Sequence, residues 1–304
     1  MRAVRSVLGD IALPAGPMLA HEHLQIDLLH NKGTDNVIGA AQEALVIDDL
    51  AATRAAHGIV AVADLSVPGS GRDAAALARI SQASGVSVIA ATGFYWEPVP
   101  APARGASALA LRDRMIDEIE RGIEDSEVRA GVIKVGTAAA PDADAERLFT
   151  AAAGAQQATG AAIITHTSTP NQAAWQLDIL QAAGANLARV LISHMHKAAD
   201  LAALRAVAAR GACFGFDQLG FKKGKSIDEI ADLAAAVIEA GLAPHLILSA
   251  DIARASRLRV HGGDGYATTC ALFLPRLRAR GVPAGVLDML MGENPRRLFE
   301  FVRA

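Results

Sequence analysis

Residues 226–251 read SIDEIADLAAAVIEAGLAPHLILSAD. Ser226 and Glu229 have the spacing of a capping box, in which a hydroxyl and a carboxylate satisfy N–H groups left open at a helix start. Ile227, Ile230, Leu233, Val237 and Ile238 then recur at helical spacing and predict one apolar face. Gly241 ends the segment, because glycine enters the left-handed conformation without a Cβ clash. The apolar run that follows reads as a strand buried on both faces, and it stops at Asp251.

The same phrase, an Ala-rich amphipathic stretch, a glycine and a short apolar run, returns along the chain. Its junctions are Gly58, Gly85, Gly131, Gly160, Gly184, Gly211 and Gly241. The longest interval, from Gly85 to Gly131, contains FYWEPVPAPARGAS (residues 94–107) and predicts an extended loop after the third strand. The earlier run PMLAHEHL (17–24) adds an eighth strand. Strict βα alternation predicts parallel strands with right-handed crossovers, and eight is the count that closes a (β/α)8 barrel. The expected fold is therefore α/β, one TIM barrel over residues 1–304, with a last helix near Asn294-Pro295, where proline suits a first helical position.

Hydrophobic residues make up 52% of the 304 and charged residues 20%, which excludes a disordered chain. A net charge of −3 argues against nucleic acid or anionic lipid as partner. The opening MRAVRSVLGDIALPAG lacks a continuous apolar core, and no uncharged apolar run of membrane length follows. A cytoplasmic protein acting on small molecules is expected, with no membrane partner and with a homodimer as the commonest assembly. Cys213 and Cys270 lie in apolar stretches and are expected to be buried thiols.

In such barrels chemistry sits where the strands end. The polar residues there are His21-Glu22-His23 on the first strand, Lys134 on the fourth, His166 on the fifth, His194 on the sixth and Asp251 on the eighth. Strand alternation points His21 and His23 to one side and Glu22 to the other. Any one strand-end histidine reads as a structural residue, but this set on five strands reads as a nitrogen and oxygen metal site. Lys134 is repelled by cations while it is an ammonium. As a neutral amine it is either a Schiff-base nucleophile or, after reaction with carbon dioxide, a carbamate that bridges two ions, and the histidines around it favour the carbamate. His30, His57, His196, His245 and His261 are left outside the ligand set. His196 either supports His194 from behind or lies in a solvated loop. Asp64 and Asp217 either orient ligands or cap helices, and Gly71-Arg72-Asp73 reads as a turn opening a helix.

Taken together, AHEHL, SVPGSGRD, AATGFYW, GVIKVGT, ITHT, LISH, FGFDQLG, LSAD and NPRRLF resemble the phosphotriesterase-like branch of the amidohydrolase superfamily along nearly the full chain. The resemblance implies a binuclear hydrolase in which His21, His23 and Asp251 hold the more buried ion and His166 and His194 the more exposed one, with carboxylated Lys134 between them. The two divalent ions are expected to be zinc, with manganese, cobalt or iron as alternatives. A hydroxide bridging them is the expected nucleophile, with Asp251 as proton shuttle.

Substrate choice is expected to lie in the loops after the seventh and eighth strands. DQLGFKKGKS (217–226) carries Lys222, Lys223 and Lys225, and IARASRLRVHGGDGYA (252–267) carries Arg254, Arg257 and Arg259. Barrel enzymes often bind phosphate at these loops, and the alternative is a solvated charged loop. A lysine after the seventh strand and an arginine three residues past the eighth-strand aspartate are similar to lactonases of phosphorylated sugars, which implies Lys222 or Lys223 and Arg254 as phosphate contacts; Arg257 stands where that group carries an aromatic residue, and is a further candidate contact only as a basic residue of the same loop. Tyr95, in Phe94-Tyr95-Trp96, either packs or stands beside the reacting oxygen. The expected function is a lactonase for a phosphorylated furanose lactone. The alternatives are a lactonase or esterase for unphosphorylated hydrophobic substrates with weak phosphotriesterase activity, and a barrel that binds metal or ligand without turnover.

Overall fold

The computed structural model describes residues 3–29, 33–95, 100, 103–136, 142–198, 200–221 and 224–301. Each of the eight apolar runs contains a strand: β1 Met18–Glu22, β2 Ala61–Asp64, β3 Ser87–Phe94, β4 Val132–Val135, β5 Ala162–Thr165, β6 Val190–Ile192, β7 Cys213–Phe216 and β8 Leu246–Leu248. They pair in parallel in chain order, from β1 to β8. Among the described residues, these helices connect them: α1 Glu43–His57, α2 Ala74–Ser84, α3 Ala108–Glu120, α4 Ala143–Thr159, α5 Gln172–Ala182, α6 Leu201–Ala209 and α7 Ile227–Glu239.

The seam between β8 and β1 is closed largely by side chains. The Glu22 carboxylate accepts from Ser249 Oγ at 2.7 Å and from the Ala250 and Ile252 N–H groups at 2.8 Å each. His21 N–H donates to Ser249 Oγ and Asp251 N–H to the His21 carbonyl, both at 3.0 Å. The outward-facing member of His21-Glu22-His23 thus ties the first strand to the last.

Period-two alternation divides the strands between two cores. Ala20, Ala63, Ile89, Val132, Ile164 and Ile247 fill the barrel interior, while Val62, Val88, Ile133, Ile163 and Leu248 pack outward against helix residues such as Leu77, Met115 and Phe149. The capping box forms as expected: Ser226 Oγ accepts from Glu229 N–H at 3.2 Å and the Glu229 carboxylate accepts from Ser226 N–H at 2.7 Å. Gly58, Gly85 and Gly160 end α1, α2 and α4 in the left-handed region. Gly131 corrects the pattern, because α3 already ends at Glu120 and Gly131 has no positive φ. A Cβ there would meet the Arg5 carbonyl oxygen at 2.4 Å, so this glycine serves close backbone approach instead of a helix stop.

One small element has no sequence signal in the repeat. Residues Ala3–Ser6 pair antiparallel with Gly9–Ile11 and with Glu300–Phe301, and Val7 N–H bonds the Val88 carbonyl near the start of β3. The last helix, Asn294–Phe299, has proline in its first turn, and Asn294 Nδ2 donates to the Ala243 and Leu246 carbonyls at 2.8 Å. Cys213 and Cys270 are buried and unpaired. Among the described residues no helix is long and apolar enough to cross a membrane.

Candidate metal centre

His21 stands within β1 and His23 just past it, Lys134 within β4, His166 after β5, His194 after β6 and Asp251 after β8. All six line one cleft of about 630 Å³ of empty space, together with Ile26, Leu28, Leu65, Tyr95, Gln218 and Arg254. His21, His23, Lys134, His194 and Asp251 are buried, and His166 is partly so. His194 and Asp251 adopt positive φ values of 63° and 50°, a conformation that L residues enter only at a cost of order 1–3 kcal/mol. Each strained N–H finds a partner within the site: His194 N–H donates to Asp217 Oδ1 at 2.7 Å and Asp251 N–H to the His21 carbonyl at 3.0 Å.

The imidazoles are held from behind in one tautomer. Asp217 accepts from His21 Nδ1 at 2.8 Å and from His194 Nδ1 at 2.9 Å. Burial works to raise the Asp217 carboxyl, but His194 and His21 outweigh it and keep it well below the usual carboxylate range. An acceptor-only carboxylate places the proton on both Nδ1 atoms and leaves both Nε2 lone pairs for the cleft. His23 is fixed similarly. Ser66 Oγ donates its hydrogen to the Gln25 carbonyl, so it accepts from His23 Nδ1 at 2.8 Å and leaves Nε2 bare, 3.2 Å from Asp251 Oδ1.

This donor set fits a metal. Ligating histidines commonly donate their other N–H to a carboxylate or similar acceptor. His21, His23 and Asp251 have donor atoms within 4.8 Å of one another. His194 Nε2 and His166 Nδ1 face each other at 3.1 Å, the spacing of two nitrogens sharing one cation. His21, His194 and Asp217 also gather within 4.8 Å, but the Asp217 oxygens meet Nδ1 atoms on the far ring edges, so Asp217 holds the two rings. Burial, with Lys134 nearby, pushes His21 down to about 4, and burial with His194 and Lys134 pushes His166 well below its ordinary value, as neutral ligands require. Burial, opposed by Asp217 and Asp251, brings the Lys134 amine down to about 8. That raises the share of the neutral amine from which a carbamate can form.

The other expectations separate. Asp64 caps no helix; its Oδ2 accepts from Leu24 and Gln25 N–H and its Oδ1 from Ser66 N–H, shaping the chain just after His23. His196 is buried, which removes the solvated-loop alternative, and its ring stands edge-on to His194 with centroids 6.3 Å apart. Asp73 caps α2 by accepting from Ala76 N–H, while Arg72 grips Glu118 at 2.6 and 3.0 Å, so that motif is structural. Tyr95 lines the cleft with its hydroxyl 3.3 Å from His166 Nε2. His30, Trp96, Lys222 and Lys223 lie outside the described residues.

The two loop arginines diverge. Arg254 lines the cleft at its rim, with 43% of its side chain exposed. Arg257 turns inward, contrary to the phosphate-contact expectation. Its guanidinium donates to the Ala250 carbonyl at 3.0 Å and the Leu219 carbonyl at 2.8 Å, and stacks over Phe221. It clamps the chain after β7 to the chain after β8. Gln218, unremarked in the sequence, donates from Nε2 to Asp251 Oδ2 at 2.9 Å, and its position beside Asp217 at the end of β7 was the available signal.

A parallel eight-stranded barrel with imidazoles, a carboxylate and a buried amine converging at its strand ends has the architecture of a TIM-barrel metallohydrolase. Residues 3–299 match the phosphotriesterase family, and the chain belongs to it. It is a metal-dependent hydrolase of ester bonds, in a family whose members are binuclear. The phosphotriesterase homology protein of Escherichia coli K12 is 33% identical over 94% of this chain and 99% of its own length. A solved structure of a phosphotriesterase homology protein from Escherichia coli, complexed with phosphate in its active site, has a TM-score of 0.90 at 32% identity, covering 94% of this chain and 99% of that one. Human N-acetyltaurine hydrolase is 28% identical over 81% of this chain and 74% of its own. A variant of a phosphotriesterase-like lactonase from Deinococcus radiodurans has a TM-score of 0.85 at 29% identity, covering 97% and 99%.

Proposed function

We propose that the protein is a binuclear lactonase whose preferred substrate is a phosphorylated furanose lactone. On this reading His21, His23 and Asp251 would hold one divalent ion and His166 and His194 the other, with carboxylated Lys134 serving both; zinc suits the donors, and manganese, cobalt or iron would serve where available. When bound, the pair supplies an acidified water as nucleophile and a Lewis acid for the substrate carbonyl.

The chain's own residues complete the reaction. Asp251 keeps Oδ1 toward His23 and Oδ2 under the Gln218 amide, so its carboxylate is oriented to take a proton from the nucleophile and return it to the leaving alkoxide. Tyr95 presents its hydroxyl on the cleft wall beside His166, within reach of a substrate oxygen bound there. Ile26, Leu28, Leu65 and Phe221 exclude water around the ring.

The observation carrying the phosphate reading is Arg254: among the described residues lining the cleft it is the guanidinium, part-exposed in the chain's run past β8. The phosphate in the related Escherichia coli structure supports an anion in such a cleft. The apolar wall favours the second reading, a hydrophobic unphosphorylated lactone. The buried, unpaired cysteines support a cytoplasmic setting.

Two γ-lactones identical except for a terminal phosphate decide between them, assayed on protein loaded with divalent metal in bicarbonate. A preference of about 100-fold in kcat/KM for the phosphorylated one, about 2.7 kcal/mol, is expected. Equal rates would remove the phosphate and leave the lactonase. Intact mass of the metal-loaded protein should show one added carbon dioxide, lost in Lys134→Ala.

A further inference from the structure

Arg254 is not presented to the cleft alone. The chain after β1 folds into a small hairpin, Ile26–Asp27 against Val37–Ile38, with a 3-10 turn at Thr34–Asn36 between its strands. That turn reaches across to the segment bearing Arg254. Asn36, buried and lining the cleft, donates from Nδ2 to the Ala253 carbonyl at 2.9 Å. Asp35 accepts from Ser256 N–H at Oδ1 and from Ser256 Oγ at Oδ2, both at 2.8 Å. Its Oδ2 also lies 4.0 Å from Arg254 Nη1. Residues on both sides of Arg254 are therefore held by two adjacent side chains, one of which brings a negative charge to the guanidinium.

We propose that Asp35 is a specificity-determining residue: the resident counter-ion of Arg254, which an anionic substrate tail must share or displace. The inference rests on the reading of Arg254 as the anion contact. An uncharged lactone does not meet this competition, so Asp35 lowers the discrimination that Arg254 alone would give. Both side chains are about two-fifths exposed, 41% for Asp35 and 43% for Arg254, so the effect is modest and screened by salt.

Asp35→Asn is the informative substitution, because its side-chain oxygen can still accept from Ser256 while the charge is gone. With the two matched γ-lactones, the phosphorylated-to-neutral ratio of kcat/KM should rise about fivefold at low salt, mainly through a lower KM, and the gain should shrink as salt is added. Ser256→Ala, which loosens the splint and keeps the charge, should not raise the ratio; if it raises it as Asp35→Asn does, splinting is the cause and the counter-ion role is overturned. If Asp35→Asn leaves the ratio unchanged or lowers it while Arg254→Met abolishes the preference, this inference fails and the phosphate reading survives. If neither Asp35→Asn nor Arg254→Met moves the ratio, both fall.

Discussion

At the floor of the cleft His21 and His194 share one carboxylate at 2.8 and 2.9 Å, and all three side chains are no more than 2% exposed. At the rim Arg254 meets Asp35 at 4.0 Å with both side chains open to water. The floor fixes tautomer and direction, as a multidentate site needs, because a misaimed lone pair in a buried site finds no substitute partner. The rim keeps a charge available, because a guanidinium already saturated with partners could not exchange one for a substrate anion. Arg257, three residues from Arg254, shows what saturation looks like: two backbone carbonyls and an aromatic face take it into the framework.

On this division a floor substitution strikes all substrates and a rim substitution strikes one class. Asp251→Asn is expected to lower kcat/KM by about 1000-fold on phosphorylated and neutral lactones alike. A loss confined to the phosphorylated one would move Asp251 to the rim in function and break the comparison. Arg254→Met should cost about 100-fold on the phosphorylated lactone and far less on the neutral one, measured with the same pair. Asp217→Asn touches no substrate but removes the shared acceptor behind two histidines. Divalent metal affinity should fall about 10- to 100-fold in a metal titration, and unchanged affinity would mean that the tautomers are set elsewhere. The smallest effect is expected for Asn36→Ala, which loses the bond to the Ala253 carbonyl: about 1 kcal/mol of stability by thermal melt, with metal content retained.

The barrel was legible because its signals are local. Helix periodicity, a capping serine and a left-handed glycine each act within a few residues, and the strand runs stand where the apolar stretches do. Gly131 shows the limit, since its reason is an Arg5 carbonyl far earlier in the chain. That the six candidate donor residues would line one cleft could be read for a related reason: a parallel barrel sends every strand end to one mouth, so a polar residue ending an apolar run is already aimed there.

Other features needed the tertiary structure. Nothing near His21 in the chain announces Asp217, which lies 196 residues on, nor does His23 announce Ser66. Glu22 looked like a bystander between two histidines until the seam brought Ser249, Ala250 and Ile252 to it. Arg254 and Arg257 have the same charge, the same loop and the same composition around them, so the chain by itself determined that cations would gather after β8. Only packing decided which one would hold the protein together and which would face the cleft. The physical reason is that a guanidinium goes wherever carbonyls and desolvated surface are offered, and those are placed by strands and loops distant in sequence.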